Sequence, residues 1–192
     1  MAQTIEDLLR ELKDTGFALP KRPKISVDNA RVRLAKAIQY ALQGEQPQWL
    51  PEYEEVADWL TDNKGRGLML AGACGRGKTV IAARALPLIL IQFKIRMYIF
   101  DAAELNTRTS EALRCYNICI DDLGKENESV KFGERRNVFV ELMDSVEKQG
   151  KLLICMTNLT HKQIEEKYGT HTLDRIYGCC RIIEFSGDSF RR

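Results

Sequence analysis

The segment from residue 68 to residue 86 joins an apolar run to a helix-prone run through a loop with three glycines and a lysine. The apolar run is Leu68–Ala71, the loop reads GACGRGKT over Gly72–Thr79, and the helix-prone run is Val80–Leu86. This order predicts a β-strand, a phosphate-binding loop and a helix whose N-terminus faces an anion. The glycines allow backbone N–H groups to turn inward around phosphate oxygens. The sequence therefore predicts that the chain binds ATP or GTP.

Nine consecutive residues are predicted to contact the nucleotide, and two of them carry defined chemistry. The Lys78 ammonium is expected to reach the β- and γ-phosphate oxygens, and the Thr79 hydroxyl is expected to ligate Mg²⁺. ATP and Mg²⁺ are therefore the predicted cofactors. The predicted nucleotide-binding residues are Gly72, Ala73, Cys74, Gly75, Arg76, Gly77, Lys78, Thr79 and Val80.

Length and composition fit one α/β domain with a short appendage. The chain has 192 residues, 44% of them hydrophobic, which is enough for a substantial core. Its 29 basic and 27 acidic residues give a net charge of +2, so no overall field directs it to nucleic acid or an anionic membrane. The sequence shows no secretion signal and no apolar run near the roughly 18 residues of a membrane span. We expect a cytoplasmic protein.

Short apolar runs alternate with helix-prone stretches after residue 67, which is typical of a parallel sheet covered by helices. The predicted fold class is therefore α/β. The predicted strands are Leu68–Ala71, Arg96–Phe100, Tyr116–Asp121, Lys151–Met156 and Arg181–Phe185. The predicted helices are Asp28–Gln43, a segment from Pro51 that ends before Gly65, Lys78–Leu90 with a kink at Pro87, Gly133–Lys148, His161–Lys167 and Thr172–Tyr177.

The beginning of the chain predicts a separate short helix. Thr4 and Asp7 form a helix-start signal, and apolar residues recur at helical spacing over Ile5–Leu12. A basic linker broken by proline follows at residues 21–24. We therefore expect an N-terminal segment, 1–24, and a core, 25–192.

Two aspartates follow a buried apolar strand within Ile120–Gly124. A carboxylate at the C-terminal end of a strand beside the phosphate loop can hold the water shell of Mg²⁺, which predicts that role for Asp121. Asp122 would then polarise the water that attacks the γ-phosphate. The alternative is that both aspartates only open a turn, but their pairing with a phosphate loop favours the catalytic interpretation.

Two further polar residues are candidates for the same site. Asn158 ends the apolar run that starts at Lys151, in a strand expected between the phosphate-loop strand and the Asp121 strand. It is equally suited to cap a helix ahead of Thr160. Arg175 lies on a short predicted helix, where a lone arginine is usually a solvated surface charge. It becomes a candidate only as part of the whole set.

Together these motifs resemble the AAA+ ATPases of the helicase-loader group, typified by the DnaC-type loader of the replicative helicase and the IstB-type helper ATPase of transposases. The resemblance covers residues 5–191. Its specific parts are GACGRGKT at Gly72–Thr79, IDDLG at Ile120–Gly124, MTN at Met156–Asn158, YG and LDR within Tyr168–Arg175, and EFSGDSFR at Glu184–Arg191.

The resemblance implies a role for each candidate residue. Residues 72–79 become a Walker A motif, and Asp121 and Asp122 become a Walker B motif with Asp122 at the catalytic-acid position. Asn158 becomes sensor 1, and Arg175 is similar to the arginine finger that completes a neighbouring subunit's site. The expected activity is slow, assembly-dependent hydrolysis of ATP to ADP and phosphate.

The same resemblance implies an architecture and partners. It implies a P-loop AAA+ core with five parallel strands in the order 5-1-4-3-2, no C-terminal lid, and self-association through the ATP site. Adenine is then expected to rest on Ile25–Asp62. The N-terminal segment is expected to dock a replicative helicase or a transposase, and a central groove is expected to contact single-stranded DNA.

The chain departs from the family pattern at two places, and two other functions are alternatives to an assembly-dependent ATPase. The segment Ala102–Cys115 is shorter than the DNA-contacting insertion of many relatives, and Asp144–Glu147 stands where relatives often carry an arginine. A small-molecule P-loop kinase has a similar length and the same loop, but it needs an arginine-rich lid, and this chain offers only Arg108, Arg114, Arg135 and Arg136. A nucleotide-gated scaffold with little hydrolysis is the second alternative, because Asp122 is one carbon shorter than the glutamate usual at this position.

Overall fold

A five-stranded parallel sheet forms the centre of the computed structural model, which describes residues 3–15, 17, 19–126, 129–131, 134–187 and 189. In chain order the strands are β1 (Gly67–Gly72), β2 (Tyr98–Asp101), β3 (Asn117–Leu123), β4 (Ser129–Lys131), β5 (Glu134–Arg136), β6 (Leu152–Thr157) and β7 (Cys180–Phe185). The sheet has the order β2-β3-β6-β1-β7, and β4 and β5 pair separately as an antiparallel hairpin. The five sheet strands therefore have the predicted order 5-1-4-3-2, and the α/β fold class is confirmed.

Helices cover both faces of this sheet. The covering helices are α2 (Ala30–Ala41), α3 (Pro51–Thr61), α4 (Leu86–Leu90), α5 (Thr109–Arg114), α6 (Val138–Gln149), α7 (His161–Tyr168) and α8 (Thr170–Cys179). A further helix, α1 (Ile5–Glu11), buries none of its residues. Short 3₁₀ turns occupy Leu12–Thr15, Ile91–Phe93 and Ala102–Glu104. Within the described residues, no helix combines the length and apolar character needed to cross a membrane.

Alternate residues of the central strands enter two separate hydrophobic cores. Leu68 and Leu70 pack with α2, α3 and the helix after the phosphate loop, whereas Met69 between them packs with α5, α6 and α8 on the other face. Every residue of β6 is buried. Continuous apolar strands are expected where both faces of a parallel sheet are covered, which is why these runs could be recognised in the sequence.

The helix after the phosphate loop changes geometry before Pro87. Residues Val80–Ala85 form a π-helix, in which the Leu86 N–H bonds to the Ile81 carbonyl, and α4 continues it. Proline lacks an N–H, so a regular α-helix would lose a hydrogen bond here. The Cys119 thiol on β3 donates to the Ala82 carbonyl at 3.5 Å. The predicted distortion at Pro87 is therefore a π-helical turn.

Two predicted helices have different ends in the structure. α2 is shorter than predicted because Asn29 and Gln43 adopt left-handed backbone conformations, with φ of +53° and +58°. The helix predicted from Gly133 is wrong at its start, since Glu134–Arg136 is strand β5 and α6 begins at Val138. The Asn137 side chain caps α6 by accepting from the N–H groups of Phe139 and Val140. Gly133, and Asp188, Phe190 and Arg191 of the closing motif, lie outside the described residues.

The N-terminal helix forms with the predicted cap. Thr4 and Asp7 make reciprocal hydrogen bonds to each other's backbone N–H, and the helix follows at Ile5. Its apolar residues stay exposed: Ile5 by 76%, Leu8 by 42%, Leu9 by 37% and Leu12 by 39%. The helix therefore presents an uncovered apolar face.

Candidate nucleotide site

The phosphate loop starts where β1 ends, between β6 and β7. The Ala73 N–H donates to the Phe185 carbonyl at 3.1 Å, which fixes the start of the loop against β7. Gly77 has φ of +84°, and a Cβ there would lie 2.5 Å from the Tyr53 hydroxyl oxygen. Only glycine fits this backbone conformation and this close approach.

Lys78 lies buried beneath the loop with only 7% of the residue exposed. Its ammonium donates to the Gly72 carbonyl at 2.7 Å, to the Ala73 carbonyl at 2.6 Å and to the Asn158 side-chain oxygen at 2.9 Å. A buried ammonium requires such acceptors. The loop and the end of β6 therefore meet at this lysine.

Asn158 is where the predicted strand order requires it. β6 lies between β1 and β3, so its C-terminal end brings Asn158 to the loop. The capping alternative is wrong, because Thr160 caps α7 in a capping box with Gln163. Asn158 is thereby left to face Lys78.

Asp121 and Thr79 form the second link between strand ends. The Thr79 hydroxyl donates to the Asp121 carboxylate at 3.1 Å. Burial raises the pKa of Asp121, and the neighbouring charge of Asp122 adds to this effect, although the Thr79 hydrogen bond opposes it. A hydroxyl and a carboxylate at this distance are the hard oxygen ligands that Mg²⁺ prefers. The pair fits the predicted metal site.

Asp122 occupies a β-bulge at the end of β3. The register with β6 shifts between Ile120 and Leu123, and Asp122 has φ of +56°, which is uncommon for a residue with a side chain. Its carboxylate accepts from the Lys125 ammonium at 2.6 Å. Both side chains line the cavity above the phosphate loop.

That cavity has a volume of about 480 Å³ and extends from the loop to the segment before α3. Its far wall contains Ile38 of α2, Leu42 directly after α2, residues 45–48, and Tyr53 of α3. A single cavity therefore joins the phosphate loop to an apolar wall, which is the usual construction of a small-molecule site. The sequence predicted only the range Ile25–Asp62 for this wall.

No protein-family model and no curated protein matches the sequence. Among solved structures, the DnaC helicase loader is 19% identical with a TM-score of 0.52, over 88% of this chain and 94% of that chain. The chain has the fold of the DnaC helicase loader. DnaI is 19% identical with a TM-score of 0.53, over 83% and 87% of the two chains. The AAA+ fold expected from the loader-like motifs is confirmed.

The chain is also similar in fold to DnaA. DnaA from Aquifex aeolicus bound to AMPPCP is 17% identical with a TM-score of 0.52, over 77% of this chain and 51% of that chain. A replication initiator DnaA bound to AMPPCP and single-stranded DNA is 16% identical with a TM-score of 0.50, over 71% and 46%.

Arg175 is not among the residues that converge on the phosphate loop. It lies on α8 and makes ion pairs with two carboxylates of α6, Asp144 at 2.5 Å and Glu147 at 2.9 Å. The helices α6 and α8 pack on the opposite face of the sheet from the helix that follows Lys78. Asp144 and Glu147 thus lie where relatives often carry an arginine, and in this chain they form ion pairs with Arg175.

The phosphate loop is held in place by two residues that the sequence analysis did not identify, Glu52 and Tyr53. Glu52, at the start of α3, accepts from the Arg76 guanidinium at 2.8 Å and from the Ser186 N–H at 3.1 Å. Burial alone would raise the pKa of Glu52, but these hydrogen bonds and the Arg76 charge hold it below its usual value. The Tyr53 hydroxyl donates to the Arg76 carbonyl at 3.3 Å. The only sequence signal was an acidic first turn after Pro51.

Proposed function

We propose that this chain is an AAA+ ATPase that binds ATP with Mg²⁺ and hydrolyses it. The observation that carries this proposal is the meeting of three neighbouring strand ends. Lys78 after β1, Asn158 after β6 and Asp121 on β3 are joined by hydrogen bonds of 2.9 Å and 3.1 Å, the latter through Thr79. Lys78, Thr79 and Asn158 line one cavity, and Asp121 is linked to it through Thr79.

The residues of this site would divide binding from chemistry. Lys78 would contact the β- and γ-phosphates, while backbone N–H groups of the loop surround the β-phosphate. Thr79 and Asp121 would hold Mg²⁺, which supplies charge stabilisation for the phosphates when it is bound. Asn158, next to Lys78, would orient the attacking water, and Asp122 would polarise it.

The base would occupy the apolar end of the cavity. Ile38 and Leu42 form an apolar surface there, and residues 45–48 supply backbone polar groups and the side chains of Glu45, Gln46 and Gln48 for hydrogen bonds to the base edge. A phosphate end with two lysines and an apolar end of this kind suit a nucleoside triphosphate. We assign adenine rather than guanine because two compared DnaA structures hold AMPPCP.

We further propose a replicative helicase as the client, because one compared structure of nearly the same extent is a helicase loader. The exposed apolar face of α1 is the candidate docking element, since its side chains would gain burial only against a partner. Transposase binding, single-stranded DNA binding and self-association through the ATP site stay predictions.

ATP titration of the parent and of Lys78→Ala tests the nucleotide proposal. Charge-assisted hydrogen bonds contribute about 1.5–3 kcal/mol each, so the substitution is expected to weaken ATP binding by roughly tenfold or more. Lys162→Ala, which removes a lysine whose side chain is 84% exposed on α7, serves as the control. Equal affinities for the parent and Lys78→Ala would remove the phosphate-loop assignment.

A scaffold that binds ATP with little turnover is the second candidate. One observation favours it, because the Asp122 carboxylate is engaged by Lys125 at 2.6 Å rather than open to a water. Lys125→Ala separates the two functions. Slow hydrolysis in the parent with faster hydrolysis in the variant would indicate that Lys125 restrains Asp122 and would favour the scaffold, whereas equally fast hydrolysis in both would favour the ATPase without this restraint.

A further inference from the structure

The turn that follows Asp122 is held by a buried carboxylate that has no role in the site described above. Glu126 is 7% exposed, and one of its oxygens accepts from the Gly124 N–H at 2.8 Å. Its other oxygen accepts from the Tyr168 hydroxyl. Both oxygens of this buried side chain are therefore used, as a carboxylate in such a place requires.

The other half of this arrangement is the C-terminal end of α7. The Tyr168 ring packs against Phe139 of α6 with ring centroids 4.8 Å apart, and burial and the Glu126 hydrogen bond raise the pKa of the phenol. Tyr168 is thus a fixed, neutral donor. Next to it, the Lys167 ammonium donates to the Gly124 carbonyl at 2.6 Å. Two consecutive residues of α7 therefore hold both backbone groups of Gly124, one directly and one through Glu126.

The same turn determines where Asp122 points. Asp122 and Gly124 flank the end of β3 with φ of +56° and +111°, and the Lys125 N–H bonds back to the Asp122 carbonyl at 3.1 Å. A Cβ at Gly124 would lie 2.8 Å from Leu159, so the turn also packs closely against the segment after β6. A residue with a side chain keeps a left-handed conformation only when its surroundings impose it. Glu126, Lys167 and Tyr168 contribute to those surroundings through Gly124, and the Thr157 hydroxyl contributes by donating to the Leu123 carbonyl at 2.7 Å.

We propose that Glu126 and Tyr168 are positioning residues for ATP hydrolysis, which hold the 122–126 turn so that Asp122 faces the γ-phosphate end of the cavity. The inference rests on the proposed ATPase function. Neither residue lines the cavity itself, so they act through the turn and not on the nucleotide. Loss of this hold would misplace Asp122 while leaving Lys78 and Thr79 untouched.

Tyr168→Phe is the sharpest test because it removes one hydroxyl and keeps the ring against Phe139. We expect kcat for ATP to fall about tenfold or more, since displacement of a catalytic group by about 1 Å can cost up to ~10²-fold. ATP affinity, measured on the same protein, should change less than about threefold. Tyr177→Phe is the matched control, since its hydroxyl is exposed and bonds to His161.

A rescue distinguishes positioning from packing. Glu126→Ala should slow hydrolysis as Tyr168→Phe does. Glu126→Gln should retain turnover within about threefold of the parent, because its amide oxygen accepts from Gly124 and its NH₂ donates to the Tyr168 oxygen. If Tyr168→Phe and Glu126→Ala do not fold, Lys167→Met becomes the test. It removes the exposed ammonium that donates to Gly124 and should lower kcat by severalfold.

The outcomes separate this inference from the proposed function. A parent that binds no ATP or releases no phosphate overturns the ATPase proposal and the inference with it. An active parent whose folded Tyr168→Phe, Glu126→Ala and Lys167→Met variants all keep its kcat overturns the inference alone. Equal losses of kcat and of ATP affinity would also overturn it, because the whole site would then be disturbed.

Discussion

Replacing Arg175 with alanine tests whether the active site is shared between two chains. In one chain Arg175 is paired with Asp144 and Glu147, and it lies on the other face of the sheet from the helix that follows Lys78. It can therefore act on a γ-phosphate only in a neighbouring chain. The Arg175 side chain is 28% exposed, so it stands close enough to the surface for that role.

The energies of the two roles are far apart. Partly exposed ion pairs contribute about 0.2–1 kcal/mol each, so the two pairs of Arg175 contribute at most about 2 kcal/mol to folding. An arginine finger contributes about 10³–10⁵ in rate, or about 4–7 kcal/mol of transition-state stabilisation. The free energy lost when Arg175 leaves its acidic partners is thus small compared with the transition-state stabilisation that it would supply. Removal of a purely structural arginine would change only the free energy of unfolding.

The assay is phosphate release per chain across a dilution series. If Arg175 acts in trans, specific activity rises with protein concentration in the parent, and Arg175→Ala abolishes the rise while ATP affinity is unchanged. Mixing Arg175→Ala with the inactive Asp122→Asn chain should restore part of the activity, because one interface then has both an intact finger and an intact site. Arg181→Ala is the matched control, since Arg181 is 35% exposed and pairs with Glu55 at 3.7 Å.

The finger assignment fails if activity per chain is constant from dilute protein upward and mixing restores nothing. In that case Arg175→Ala should only lower the unfolding midpoint, by at most about 8 °C for a chain of this length. Arg175 would then be a brace between α6 and α8.

Two further substitutions test the geometry of the loop and the metal site. The raised pKa of Asp121 means that the folded chain binds this proton more readily than the unfolded chain, so its ionisation destabilises the fold as pH rises beyond the ordinary carboxylate range. Asp121→Asn should therefore raise the melting temperature in metal-free buffer at pH 7, by roughly 2–4 °C per kcal/mol, and this gain in melting temperature should disappear as pH falls through the ordinary carboxylate range. The variant should also lose the response to Mg²⁺. A melting temperature below that of the parent at pH 7 would contradict this reasoning. Gly77→Ala should weaken ATP binding by about tenfold, because left-handed φ costs about 1–2 kcal/mol and the new Cβ meets Tyr53. Gly169→Ala has the same φ of +84° with open space around it and should leave ATP affinity unchanged, and equal effects of the two would show that the contact with Tyr53 is irrelevant.

The sheet and most of the site could be predicted from the sequence because they depend on local signals. Five apolar runs specify the five strands of the sheet, and the loop motif fixes one end of β1. Once the strand order is given, Asn158 and Asp121 must lie beside Lys78, since parallel strands end at one edge of the sheet. This part of the site needs no knowledge of packing between distant side chains.

The supports of the site could not be predicted in this way. Glu52 meets Arg76 and Ser186 only after α3, β1 and β7 have packed together, and nothing in an acidic first turn after a proline indicates this. Tyr168 reaches Glu126 across 42 positions of sequence. The hairpin of β4 and β5 was missed because each of its strands has only 3 residues, too few to give a periodic signal. Long-range contacts of polar side chains leave no periodic pattern in a single sequence.

The decisive measurement is phosphate release from ATP by the parent and by Asp122→Asn, with ATP affinity measured on the same preparations. We expect the parent to hydrolyse ATP when Mg²⁺ is present. Asp122→Asn, which keeps the shape of the side chain and removes its charge, should lower turnover by about 10²–10⁴ with ATP affinity within a few-fold. Asn158→Ala should act in the same direction. Full turnover in both variants, or no turnover in the parent at any concentration, would contradict the claim that these strand ends form an ATP-hydrolysing site.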